Sequence, residues 1–277
     1  MKCRRPALIV LFLVCLLAAP ATSRAEATTH YWLARPLPPT ANLTVERGFP
    51  YGWTRNGTSP IHHGVDIVNR LNTPVLAAAN GTVYYAGNDA ERMFGPSPDF
   101  YGNLVVIQHD IAAPDGSAVY TLYGHLNGIT VQTGQRVGQG QIIGGVGKTG
   151  IAVWYHLHFE VRVGSGDDYN ATRNPELWYA PRPGTATLIG RIVDANGGLA
   201  MGIRFTLSIR NSIYPGWTYA DPGIHNDPTY SENFAVGDLP AGCYYLRVRN
   251  GHGGYAYAKQ VCLKSGETVF LEVQLAP

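Results

Sequence analysis

His156-Leu157-His158-Phe159-Glu160-Val161 alternates polar and apolar side chains at every step. That period is the period of a β-strand, so His156, His158 and Glu160 share one face while Leu157, Phe159 and Val161 share the other. Such a strand, apolar beneath and imidazole-bearing above, suits the floor of a cleft. Around it, from His62 to about Val163, strand-like runs at 74–79, 82–86, 104–109, 119–123, 141–144 and 156–163 are separated by glycine turns. Asn80-Gly81 is a turn dipeptide between the first two. No segment has a helical period, although 174–179 reads as a single turn.

The pattern extends to the rest of the chain. Residues 88–101 carry Asp, Glu, Pro and Gly and read as an exposed insertion, and 166–184 reads as a linker by composition. Runs at 187–194, 203–210, 233–236, 243–250, 255–264 and 268–275 then predict a β-sandwich over 185–277. The fold class is all-β: a lead-in at 26–60, an antiparallel-sheet domain at 61–165, the linker and the sandwich.

Only 14% of the 277 residues are charged, while Gly (33) and Tyr (17) are abundant, a profile of secreted β-proteins. The first 25 residues have a basic head, an apolar run from Ala7 to Ala19 and small residues up to Ala25, as a secretory signal peptide does. The apolar run is too short for a membrane span, which needs about 20 residues. Cleavage after Ala25 removes Lys2, Arg4, Arg5 and Arg24, leaving 17 Lys+Arg against 19 Asp+Glu. The expected product is therefore slightly acidic, with no transmembrane segment, secreted or held in the periplasm or cell envelope. It offers no concentrated basic face for nucleic acid. Cys3 and Cys15 leave with the leader, and Cys243 and Cys262 remain. Across a hairpin loop at 251–254, facing residues have numbers summing to 505, as 243 and 262 do, so a disulfide is expected.

Two further strings bear histidine: His62-His63-Gly64-Val65-Asp66 and Tyr123-Gly124-His125-Leu126. Imidazoles with a carboxylate suit a zinc ion that keeps one coordination position open, the arrangement of a hydrolytic site. His62 and Asp66 flank Gly64, where the backbone can bend to let both side chains converge. His63 should point elsewhere and His109, closing an apolar run, is read as structural; His30, His225 and His252 have no partner pattern.

Together these strings resemble the lysostaphin/LytM-type zinc endopeptidases. The resemblance covers roughly residues 45–165 and includes Thr73-Pro74-Val75, Tyr101-Gly102-Asn103, Gly140-Gln141-x-Ile143-Gly144 and Gly147-x-Thr-Gly150. It implies one Zn2+ per chain held by His62, Asp66 and His158, with His125 and His156 in the catalytic positions. It also implies hydrolysis of peptide bonds in peptidoglycan stem peptides or cross-bridges. Glu160, on the same strand face, is open to either an orienting or a structural role, and Trp154 and Tyr155 are candidates for substrate contact. The C-terminal part loosely resembles carboxypeptidase-regulatory-like or transthyretin-like sandwiches. Two other functions fit a chain of this kind: a non-catalytic envelope protein that binds or regulates a partner, and a zinc protease acting on glycine-rich proteins. Degenerate relatives of the first kind lose metal or catalytic histidines, whereas all five positions are filled here.

Overall fold

A computed structural model describes residues 33–275 except 222, 251 and 253. The expected leader, Cys3, Cys15 and His30 lie outside the described residues, as does part of the 251–254 loop. Among the described residues no helix is long and apolar enough to cross a membrane. The expected all-β class holds: seventeen strands and one short 3-10 turn make up the regular structure of the described residues.

The first sheet is antiparallel. Its strands are β1 (Val65–Val68), β3 (Gly81–Asn88), β4 (Asn103–Ala112), β5 (Ala118–Gly124), β7 (Arg136–Val137) and β9 (His156–Val163), in the order β1-β9-β5-β4-β3-β7. A short strand β10 (Thr172–Arg173) also pairs with β9. A second antiparallel sheet, β2 (Pro74–Leu76), β8 (Ile142–Val146) and β6 (Leu126–Ile129), packs beneath. Val65, Ile67, Val105, Ile107, Tyr123, Leu126, Ile143, Leu157, Phe159 and Val161 fill the shared core. The apolar face of β9 is thus turned inward, as its alternation requires.

Two more sheets follow. One is β14 (Phe234–Pro240), β11 (Thr185–Val193) and β17 (Thr268–Gln274), in which β11 and β17 run parallel. The other is β13 (Ser212–Trp217), β12 (Arg204–Ile209), β15 (Gly242–Arg249) and β16 (Tyr255–Leu263). Leu188, Ile192, Phe234 and Val236 from the first meet Phe205, Leu207, Tyr244 and Leu246 from the second in one core. Cys243 and Cys262 face each other in register and are joined by a disulfide. On the other side of the three-stranded sheet, Ile189 and Ala235 belong to the core of the histidine-bearing sheet.

Two segments differ from the expectation. The 88–101 insertion buries Asp89, Phe94 and Tyr101 completely or nearly so, and Asp89 accepts the backbone N–H groups of Tyr101 and Gly102. Its polar composition serves backbone satisfaction as well as solvation. Residues 166–184 supply β10, the 3-10 turn Pro175–Leu177 and the buried Leu177, Trp178 and Tyr179. This stretch is built into the core rather than hanging between units.

The lead-in forms a strap over the site strand. Gly52 donates to His62 O at 2.7 Å and His62 donates to Trp53 O at 3.0 Å. On its far side Ala220 donates to Gly52 O at 2.7 Å, and Trp53 packs on Trp217 at 5.4 Å between ring centres. The strap is therefore held between the histidine-bearing sheet and the C-terminal sheets.

Candidate metal centre and catalytic cleft

The pairing of β1 with β9 sets Asp66 opposite His158, and opposed residues point to the same face. His62 arrives from the turn before β1. The close approach needs Gly64: a Cβ there would lie 2.6 Å from Phe159 O and 2.8 Å from His158 Nε2. Asp66 Oδ1 then sits 2.9 Å from His158 Nδ1 and 3.2 Å from His62 Nε2, and the two nitrogens are 3.3 Å apart.

The outer nitrogens settle what those inner atoms carry. His62 Nδ1 lies 2.7 Å from Phe49 O, which can only accept, so this nitrogen donates, and in the neutral ring it is Nε2 that keeps the lone pair. His158 Nε2 lies 3.0 Å from Glu160 Oε1 and donates to it. Glu160 is fully buried, accepts Arg162 Nε at 2.7 Å and the Tyr101 hydroxyl. Burial alone would raise its pKa, but Arg162 and His158 hold it at about 2, so it is an acceptor at any physiological pH. Were both imidazoles neutral, three lone-pair donors would face one another with no proton between them.

A cation resolves that repulsion. In a tetrahedral shell with ligands about 2.0–2.2 Å from zinc, neighbouring donors lie about 3.3 Å or slightly more apart. The His62, Asp66 and His158 triangle has edges within a few tenths of this, and the chemistry of two imidazoles and a carboxylate fits the ion. Without a cation, a proton meets the same demand. Burial lowers the His158 pKa, yet Asp66 and Glu160 outweigh it and raise it to about 9. The Asp66 carboxyl, pushed up by burial, is held well below the usual range by His62 and His158.

His125 and His156 stand beside this triangle, their rings 4.7 Å apart. His125 follows the last residue of β5 with φ of 61° and gives Nδ1 to Thr149 O at 2.8 Å. His156 gives Nδ1 to Trp154 O at 2.8 Å, and its Nε2 lies 3.4 Å from Asp66 Oδ1. Burial lowers both pKa values, that of His125 to about 3, so both rings are neutral at pH 7. Each therefore has a bound Nδ1–H and an unprotonated Nε2.

The cleft above has a volume of about 410 Å³ and is lined by all five residues, with Phe49, Arg55, Ile61, Phe100 and Trp154 among its walls. Trp154 is 73% exposed and Tyr155 is exposed too, though only Trp154 lines the cleft. His63 points away from the triangle, to Thr172 Oγ1 at 3.1 Å and onto the Tyr169 ring. His109 is buried against Thr121 at 2.7 Å, away from the cleft, as its structural reading expects. The sequence reading gave no role to Phe49, Tyr101, Thr149 or Arg162. Tyr101 and Thr149 lie within the motifs Tyr101-Gly102-Asn103 and Gly147-x-Thr-Gly150, and the alternation of β9 continues to Arg162.

Residues 60–171 match the family model for peptidase family M23. This stretch of the chain belongs to peptidase family M23. The M23 domain contains the whole constellation. The chain is 35% identical over 120 residues to the lipoprotein NlpD/LppB homolog of Pseudomonas aeruginosa, a match covering 40% of this chain and 35% of that one. It is 37% identical over 102 residues to the peptidoglycan DD-endopeptidase ShyA of Vibrio cholerae, covering 37% and 20%. The chain thus spans only about a third or less of the length of these relatives. Among solved structures, the catalytic domain of lysostaphin from Staphylococcus simulans is 31% identical, with 46% of this chain and 83% of that one covered and a TM-score of 0.36.

Proposed function

We propose that this protein is an exported zinc-dependent endopeptidase that hydrolyses peptide bonds in peptidoglycan stem peptides or cross-bridges. In this reading the M23 domain is the catalytic unit and 185–277 an accessory sandwich. The carrying observation is the convergence of one ligand atom each from His62, Asp66 and His158 beside two neutral histidines. His62 Nε2, Asp66 Oδ1 and His158 Nδ1 would hold one Zn2+. Zinc supplies a Lewis acid that polarises the scissile carbonyl and lowers the pKa of water to about 7.

The rest falls to the chain. Nε2 of His125 and of His156 is free to take the proton of the attacking water, and the imidazolium formed can return it to the leaving amine. While charged, it also stabilises the negative charge developing on the carbonyl oxygen. The carbonyls of Thr149 and Trp154 keep each ring oriented and become better partners as it charges. A purely binding module has no use for two such bases beside a metal triangle, which favours the enzyme over a non-catalytic envelope role.

Mass spectrometry of purified peptidoglycan fragments incubated with the zinc-loaded protein tests the proposal. New amine and carboxylate ends at one defined peptide bond support it. Unchanged fragments alongside cleavage of glycine-rich protein would move the substrate class, and no cleavage of either would overturn it.

A further inference from the structure

We infer that Arg55 is a specificity residue that recognises a free carboxylate on the substrate, two to three residues from the bond that is cut; the inference rests on the hydrolytic reading above. Arg55 is the one Lys or Arg among the described residues lining the cleft. Its guanidinium lies over the Phe49 ring at 4.3 Å. Phe49 in turn stacks on His62 at 4.2 Å and 7°, so cation, phenyl ring and imidazole form one pile. Among the described residues the Arg55 guanidinium has no hydrogen-bond or ion-pair partner, unlike Arg35, Arg92, Arg136, Arg162 and Arg191.

The turn that carries Arg55 is specific. Arg55 and Asn56 have φ of 50° and 59°, a conformation non-glycine residues seldom adopt. Thr54 Oγ1 accepts from Gly57 N at 3.0 Å and Thr54 O from Ser59 N at 3.0 Å, holding the loop shut. The acid in this part of the cleft, Glu46, is engaged by Gly48 N at 2.8 Å and makes no ion pair with Arg55. A fixed, unpaired fork of donors at a cleft rim suits a carboxylate, which it can bind through two parallel hydrogen bonds.

Distance sets the position. Two stacking layers are about 8 Å thick, the span of two to three residues of extended peptide. Ile151, Val153 and Trp154 add exposed apolar lining to the same cleft, with no charge to compete. The carboxylate can be a chain terminus or a side chain, and the chemistry is the same.

The test compares wild type, Arg55→Gln and Arg55→Lys on soluble muropeptides with free carboxylates and on the same fragments after amidation. Synthetic versions amidated only at the terminus or only on the side chain identify the source. Wild type should prefer the carboxylate form roughly tenfold in kcat/KM, through KM. Arg55→Gln should lose that preference, and Arg55→Lys should keep part of it. Equal preference in wild type and Arg55→Gln would overturn the inference. Binding of the same fragments, followed by Trp fluorescence, decides Arg55 even if nothing is cleaved, in which case the hydrolytic reading fails separately.

Discussion

His158 Nε2 lies 3.0 Å from Glu160 Oε1, so the strand that presents a metal ligand also presents the carboxylate that orients it. Both residues are buried on the same face of β9, and Arg162, two residues further on, neutralises Glu160. This relation fixes the tautomer that leaves Nδ1 free for the ion. Glu160→Gln should therefore weaken zinc binding by about 10–100-fold while the fold persists. Competition against a chromogenic chelator measures it; unchanged affinity would make Glu160 purely structural.

His125 and His156 are assigned to protons rather than to metal. Replacing either by Ala should lower kcat by roughly 10²–10⁴-fold. Zinc content should stay near one per chain in both variants. Turnover on muropeptides with parallel metal analysis checks this, and surviving activity in both would remove their catalytic roles.

Gly150 sits with φ of 68° against Gly102, whose φ is 66°; a Cβ at 150 would meet Gly102 N at 2.4 Å. Thr149, next to it, accepts from His125 Nδ1. Gly150→Ala should cost about 1–3 kcal/mol of strain and misplace His125. Thermal unfolding and kcat should fall together, with zinc still bound.

His109 is buried neutral, and burial lowers its pKa to about 4. The unfolded chain, with a histidine pKa near 6.5, binds that proton first. The folded state therefore keeps its advantage above about pH 6.5 and loses it as pH falls towards 4, by up to about 3 kcal/mol for this group. His109→Gln should flatten the fall of unfolding free energy across that window, although the variant starts less stable. Denaturant titrations at several pH values test the slope; an identical slope would contradict it.

Legibility in the sequence followed the length and regularity of each element. The strand His156–Val163 was readable to the residue because eight alternating side chains leave no other period. β1 and β7, with four and two residues, are too short to carry a period, and β13 contains Pro215 and Gly216, which ordinarily break a strand. Buried Phe94 and Tyr101 were obscured by the polar residues around them. The triangle's members were implied by the family resemblance, but the groups that orient them were not. One of these is the Phe49 carbonyl, and the carbonyls of Thr149 and Trp154 orient His125 and His156 in the same way; none has a side-chain signature. The Tyr101 contact with Glu160 joins residues far apart in sequence.

The central claim is that His156-Leu157-His158 divides two duties between neighbouring imidazoles, although His156 Nε2 lies only 3.4 Å from Asp66. Zinc stoichiometry of purified His158→Ala and His156→Ala, by elemental mass spectrometry after gel filtration, tests it most directly. The account predicts loss of zinc in His158→Ala and about one zinc per chain in His156→Ala. Full occupancy in His158→Ala, or loss in His156→Ala, would contradict it.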